Sequence, residues 1–508
     1  MATESRTVII IGGGIGGLFC GAILSREGWR VKIFERHTKI GGGLHQFVRR
    51  GVAFETGMHV MGAFHDGGVL NRICSYLGIL DKLPVLPADE GGFDLFHVRC
   101  DGKKYFMPRG YDRFTASLCA HFPEETDNIR RYMEALYGIC REVRLYNMEN
   151  PGISFREFSD DFMRSVGDFI DSFTGNERLR HVMAYCNPLY AGDRYTTPVY
   201  IHALISKFYI EGACRFVGGS QRMADALADV VRRAGGEVHA GCGVTHVGIE
   251  DRLATHVVTA DGARHRADCY ISSIHPSAFF SLVDTSKIQR SYRQRIDAIP
   301  NTYSAYTLYL ILKPGAFPFF NYTYYYQDDY RETWEHHLYT EETWPRGLMI
   351  ITPPATDCDR FAEKLIVNCI MNFDTVRRWE HTVSGKRGAD YEAFKRRCEE
   401  KVIRRLEEIF PGIRACIRNT YSASPLTIRD FCNQKEGAMY GVRKDCRNMA
   451  LSHISVRTKL RNLFFTGQNI NLHGILGVPL TAISTCAELV GMDHLLDRIN
   501  AHANGRNT

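Results

Sequence analysis

The segment from Val8 to Leu24, "VIIIGGGIGGLFCGAIL", holds six glycines in 17 residues. Gly12, Gly14 and Gly17 stand in the spacing G-x-G-x-x-G, and Glu35 follows 23 residues after Gly12. Each type has a physical use at its position. Gly12 permits a tight turn, Gly14 lets bare backbone approach a pyrophosphate, and Gly17 lets a helix close on a strand. A carboxylate at the distance of Glu35 accepts hydrogen bonds from a ribose. The chemistry this pattern serves is the binding of a dinucleotide.

The elements that must hold these residues are legible around them. Thr7 to Ile11 is short, β-branched and apolar, which predicts a buried strand. Leu18 to Glu27 predicts a helix stopped by Gly28, and Arg30 to Glu35 predicts a second strand. The helix start offers free N–H groups and a positive dipole end to phosphates. The stretch is too short and too rich in glycine for a spanning helix or a secretory leader.

A second cluster, Gly41-Gly42-Gly43, begins six residues after Glu35. Such a cluster lets backbone close on the pyrophosphate from the other side, which favours FAD over NAD as the resident cofactor. Gly218-Gly219-Ser220 predicts a turn, followed by a helix to Arg233 and strands around Val238 and Val244. Ala267 to Pro276 predicts a further strand. Leu463 to Thr466 predicts a strand leading through Gly467 and Gln468 to a helix that begins near Val478, just after Gly477. The expected architecture is α/β, with a Rossmann-like, glutathione-reductase-type FAD-binding domain assembled from residues 1–72, 212–284 and 455–500. Residues 73–211 and 285–454 are expected to form an α+β substrate domain with a mixed or antiparallel sheet. Its strands are expected in the aromatic runs Tyr303 to Lys313 and Phe319 to Tyr326. Tyr391 to Phe410 predicts a solvated amphipathic helix, and a polar tail is expected from about Ala501.

Composition excludes several classes. With 44% hydrophobic and 24% charged residues, the chain is an ordinary globular protein. Its net charge of +6 is interleaved with acids, so no nucleic-acid footprint is expected. Sixteen cysteines contain no CxxC and no zinc-like spacing, which predicts reduced, mostly buried thiols, no metal site and a cytoplasmic setting.

Taken together, the motifs resemble the FAD-dependent phytoene desaturase, carotenoid isomerase and retinol saturase family, and within it the retinol saturase branch. The resemblance is carried by "FERHTKIGGGLHQFVRRGVAFETGMHVMG" (Phe34 to Gly62), with its Gly51–Gly57 run, and by "SPLTIRDF", "EGAMYG" and "LFFTGQNI". Two departures lean away from true phytoene desaturases. Gln468 stands where many relatives carry Asp, and the loop after it reads Leu472-His473-Gly474 where desaturases have Pro-Gly. Animal saturases also carry a secretory segment, and its absence here leads to the expectation of a soluble, bacterial form.

The resemblance implies redox chemistry at carbon–carbon double bonds of an apolar polyene or isoprenoid lipid, with NAD(P)H as a candidate electron donor. It implies that Gly12, Gly14, Ile15, Gly16, Gly17, Glu35, Arg36, Gly42, Gly43, Leu44, His45, Val244, Gly467, Gln468, Gly477 and Val478 hold the FAD. Candidates for the protic role are His45, Tyr440 and His473, whereas His59 is expected to be a satisfied core residue. Desaturation and cis–trans isomerisation remain alternatives, as do amine oxidation and non-catalytic carriage of a prenyl lipid on the same fold. A lipid substrate leads to the expectation of peripheral contact with an anionic membrane surface through apolar surface of the second domain.

Overall fold

The computed structural model describes residues 6–151, 158–356 and 360–503. Its first unit is strand β1 (Thr7–Ile11), helix α1 (Ile15–Arg26) and strand β2 (Arg30–Phe34). β1 is flanked by β2 and by the strand Cys269–Ser272, both parallel to it. Leu463–Phe465 extends the sheet beyond Cys269–Ser272, and Glu237–His239 extends it beyond β2. All four pairings are parallel, so every strand delivers its C-terminal end to the same edge, where ligands of open α/β sheets sit. Strands buried on both faces must be apolar throughout, and Val8, Ile9, Ile10 and Ile11 are all buried.

α1 starts three residues before the sequence reading placed it, because Gly16 and Gly17 adopt helical backbone inside its first turn. It is apolar all round and buried from Gly16 to Ser25, packed against the helices Gln221–Arg233 and Gly474–Val490. The second of these also begins earlier than expected, at Gly474, and carries Pro479 as its sixth residue, where the helix gives up one i→i−4 hydrogen bond. A helix runs Met492–Ala503 and takes in the first residues of the polar tail expected from about Ala501; residues 504–508 lie outside the described ones.

The second sheet has seven strands in the order Ile417–Ala423, Ser304–Leu312, Lys364–Met371, Gly347–Ile351, Thr323–Gln327, Asp94–Val98 and Lys103–Met107. It is mixed: Thr323–Gln327 and Asp94–Val98 run parallel, and the other pairs are antiparallel. Asp94–Val98 and Lys103–Met107 come from residues 73–211, where the sequence reading placed no strand. The aromatic run expected from Phe319 enters the sheet only at Thr323. The helix Ala389–Ile409 covers one face through Tyr391, Phe394, Cys398, Val402 and Leu406, as its spacing predicts. A hairpin, β3 (Gln46–Arg49) and β4 (Val52–Glu55), links the two sheets, with Phe47 and Phe54 packed on Tyr309.

Every cysteine among the described residues is free; Cys358 lies outside them. No described helix is long and apolar enough to cross a membrane, and no described cluster could hold a metal ion.

Gly17 is the tightest point of the first unit. A Cβ there would stand 2.1 Å from the Gly12 carbonyl oxygen. Gly17→Ala is expected to destabilise the protein by about 1–3 kcal/mol, as overpacking does. Urea unfolding checks this against Gly14→Ala, whose Cβ would meet nothing within 4 Å and should leave stability unchanged.

Candidate functional site

Three glycine turns meet at the C-terminal edge of the parallel sheet. Gly12 takes a φ of 99° to leave β1, and its N–H donates to Phe34 O at 2.9 Å. Gly41 N–H donates to Gly13 O at 2.8 Å, and a Cβ on Gly42 would stand 3.2 Å from Gly14 Cα. A Cβ on Gly16 would stand 2.9 Å from Gly467 Cα. The three backbones touch because none of these residues has a side chain.

α1 begins at this meeting point without a side-chain cap, and its first turn carries no acid. Its leading N–H groups and positive dipole end therefore face the cleft unneutralised, the condition that favours a bound phosphate. The helix Gly474–Val490 also starts without a side-chain cap, behind His473. Glu35 closes the cleft beside β2. One of its oxygens accepts from Gly13 N–H and the other from His37 N–H, each at 2.7 Å. A carboxylate has lone pairs beyond those two, so Glu35 can still accept from a sugar hydroxyl.

The cleft continues into one cavity of about 1190 Å³. Of the residues expected to hold FAD, Gly12, Gly14, Ile15, Gly16, Glu35, Arg36, Gly42, Gly43, Leu44, His45, Val244, Gly467, Gln468 and Val478 line it. Gly17 and Gly477 do not. Gly17 seats α1 on the Gly12 turn, and Gly477 faces Leu472, whose Cβ would be 2.2 Å from a Cβ at 477. The residues present fit a dinucleotide, because Cβ atoms at Gly14 and Gly43 would point into open space above an uncapped helix start.

Beyond the glycine turns the walls become aromatic and aliphatic. Tyr185, Leu189, Phe208, Tyr209, Tyr325 and Met349 belong to them. The three residues proposed for the protic role all line this cavity. Burial, then the neighbouring His37, pushes His45 down to about 4. Burial pushes His473 down to about 4 and the Tyr440 phenol up. The Tyr440 and His473 rings lie 4.6 Å apart, and His473 Nε2 donates to Leu189 O at 3.3 Å. That bond fixes the tautomer and leaves Nδ1 as an acceptor.

Sequence reasoning missed a polar group behind these walls. His59, expected in the core, lines the cavity, and its Nδ1 stands 3.8 Å from Glu55 Oε2. Deeper still, Arg215 is 1% exposed, donates to Thr323 Oγ1 at 3.0 Å, and leaves Nε and Nη1 unpartnered. Burial lowers its pKa, opposed by the charges of Asp94 and Glu55. Tyr185 Oη donates to Asp94 Oδ2 at 3.0 Å. Only Glu55 and His59 carried a sequence signal, four residues apart in the motif from Gly51; Asp94 and Arg215 are brought in by strands far apart in the chain.

Burial raises Asp94 to about 7, against the lowering effects of Tyr185 and Arg215. The folded state thus keeps a proton between about pH 4 and 7 that the unfolded chain releases. The stability Asp94 contributes is fully present below that window and falls as pH rises through it. Asp94→Asn is expected to flatten that slope, read as the change in urea midpoint between pH 5 and 8.

Gly14→Ala, Glu35→Gln and Gly42→Val are expected to weaken FAD binding at least tenfold, measured by titrating FAD into the flavin-free protein. Unchanged affinity in all three would contradict the placement of the cofactor.

A model of the flavin-containing amine oxidoreductase family matches residues 15–315. All-trans-retinol 13,14-reductase of Rattus norvegicus is 25% identical over 93% of this chain and 84% of its own length. A chloroplastic prolycopene isomerase of an Oncidium hybrid cultivar is 24% identical over 96% of this chain and 84% of its own. The crystal structure of an oxidoreductase from Methanosarcina mazei superposes with a TM-score of 0.64 at 17% identity, covering 94% of this chain and 99% of that one.

Proposed function

Because the chain belongs to the flavin-containing amine oxidoreductase family, we propose that it is an FAD-dependent oxidoreductase acting on carbon–carbon double bonds of an apolar polyene lipid. The reading preferred among its variants is reduction, like the relatives named for all-trans-retinol reduction. The observation that carries it is the continuity of the cavity. The glycine cradle opens without a partition onto the wall of Tyr185, Phe208, Tyr209, Tyr325 and Met349.

The residues of the chain divide the work by chemistry. Gly14 to Gly16 and Gly42 to Gly43 would hold the pyrophosphate with backbone N–H groups and the dipole of α1, while the Gly12, Gly13 and Gly41 N–H groups tie the turns together and Gly17 seats α1. Glu35 receives the ribose hydroxyls. Gln468, a neutral donor and acceptor, faces the cavity from the turn after Leu463–Phe465. The apolar wall excludes water and accommodates a long hydrocarbon. A flavin bound in this cradle supplies hydride exchange with carbon. Tyr440, kept protonated by burial, holds a proton at its phenol oxygen beside the neutral His473. NAD(P)H, arriving from solvent, is the proposed electron donor.

Access from a membrane surface is supported by the cavity rim. Val48 and Phe431 line the cavity and are 53% and 46% exposed, with Arg49 and Lys39 beside them. Apolar residues flanked by cations suit an anionic leaflet. The protein is expected to co-sediment with anionic liposomes, and Val48→Glu with Phe431→Glu to release it. Equal sedimentation of wild type and double variant would remove the rim from the account.

Anaerobic incubation with a polyene panel, read by mass, tests the function. The reduced, FAD-loaded protein is expected to add two hydrogens to a retinoid. An unchanged mass with a new retention time would select isomerisation, the reading favoured by the prolycopene isomerase relatives. Loss of two hydrogens by the oxidised protein would select desaturation. Turnover of methylamine with no change in any polyene would move the protein to the amine oxidases.

A further inference from the structure

We propose that His59, with Glu55 behind it, is the group that gains and loses a proton at the cavity wall. This deepens the polyene-reductase reading and rests on it for the reaction served, although the pairing itself can be tested without turnover.

The chain leaves β4 at Glu55 and reaches His59 through Thr56, Gly57 and Met58. Thr56, Gly57, Met58 and His59 all line the cavity. The segment is seated on the second glycine turn. Thr56 Oγ1 donates to His45 O at 3.1 Å, and a Cβ on Gly57 would stand 3.3 Å from Gly43 O. His59 is therefore held beside the backbone that would clasp the cofactor.

The chemistry follows from what surrounds its ring. Five imidazoles line the cavity: His37, His45, His59, His336 and His473. Among them only His59 has a carboxylate within ion-pair distance of its ring, Glu55 Oε2 at 3.8 Å. Three other carboxylate–imidazole pairs occur among the described residues, at His239, His381 and His494, and the imidazole of each is solvent-exposed. The His59 and Glu55 side chains are 6% and 5% exposed. The facing atoms, His59 Nδ1 and Glu55 Oε2, have no hydrogen-bond partner, so neither is committed to a third group. Arg215, from the strand Cys214–Phe216, faces Glu55 together with Asp94, Tyr325 and Asp89. By contrast, burial pushes His45, His336 and His473 down to about 4, 3 and 4, with no carboxylate to oppose it.

A carboxylate this close to Nδ1 faces the ring edge-on and can hold its orientation. In the reductive direction the His59 imidazolium N–H bond breaks, its electron pair stays on nitrogen, and the proton forms a C–H bond at one carbon of the former double bond. The two electrons and the second hydrogen come from reduced flavin, the reductant of the proposed reaction. His59 is left neutral, Glu55 is unchanged, and solvent restores the proton. Glu55 acts through His59 and is a positioning residue.

The test uses the FAD-loaded protein with ¹³C-labelled histidine, in wild type, His59→Gln and Glu55→Gln. The imidazole resonance missing in His59→Gln identifies His59. Its titration midpoint is expected to fall by half a pH unit or more in Glu55→Gln, since loss of a nearby negative charge disfavours the imidazolium. In single turnover of retinol by the reduced protein in deuterium oxide, His59→Gln should slow deuterium incorporation by about 10²–10⁴-fold, the usual contribution of a positioned acid. Glu55→Gln should slow it by less, with the visible flavin spectrum unchanged in both. A midpoint that does not move in Glu55→Gln, or wild-type incorporation in His59→Gln, overturns the proposal. If wild type changes no polyene, the functional reading fails, and the titration alone then supports or overturns the pairing. It reads His59 intact in wild type and Glu55→Gln, and His59→Asn supplies the assignment where His59→Gln folds poorly.

Discussion

Three stretches of bare backbone must touch for this molecule to have a site at all. The turns at Gly12–Gly17, Gly41–Gly43 and Gly467 approach so closely that a Cβ at Gly16 or Gly17 would enter the backbone of another turn or of its own, and one at Gly42 would press on Gly14. That contact brings the chain's beginning, its second motif and its C-terminal strand to one edge of the parallel sheet. It also leaves the first N–H groups of α1 without acceptors. A buried helix end without partners is unfavourable, and an anionic phosphate relieves it. Cofactor binding and folding of the first unit are thus one constraint seen from two sides.

The seven-stranded sheet answers a different requirement. It presents a broad, aromatic wall to the same cavity and is covered on its other side by the helix Ala389–Ile409. Polar groups enter that wall at a few places, and three of them face a partner. Tyr185 is tied to Asp94, His473 to Leu189, and His59 to Glu55. An apolar lumen with sparse, oriented polar groups suits a hydrocarbon that must be positioned and protonated at one point and kept from water elsewhere.

Much of this was legible in the sequence, and the limits have physical causes. The strands around β1 and the glycine turns could be read because strictly local rules govern them: β-branched apolar runs, and glycine where backbone must approach backbone. Helix starts were read late at Ile15 and at Gly474, because glycine and proline argue locally against helix, whereas tertiary packing holds them within the first two turns. Asp94–Val98 was missed as a strand although it forms a hairpin with Lys103–Met107 around Asp101-Gly102, a turn signal the sequence carries; only its other partner, Thr323–Gln327, lies more than two hundred residues away. The same distance hid Arg215 and Asp94. His59 was visible but misjudged, because a histidine in an apolar motif is more often a satisfied core residue, and only the fold shows that its ring faces a cavity and a carboxylate.

The central claim is that the cofactor cradle and the apolar wall belong to one continuous site. The direct measurement is the visible absorption spectrum of the oxidised, FAD-loaded protein during titration with all-trans-retinol under anaerobic conditions. The account predicts a saturable shift of the flavin bands as retinol fills the lumen beside the ring, and loss of that shift when Tyr209 and Tyr325 are replaced by charged residues. A flavin spectrum that stays unchanged while retinol binding saturates would place the lipid elsewhere and contradict the account.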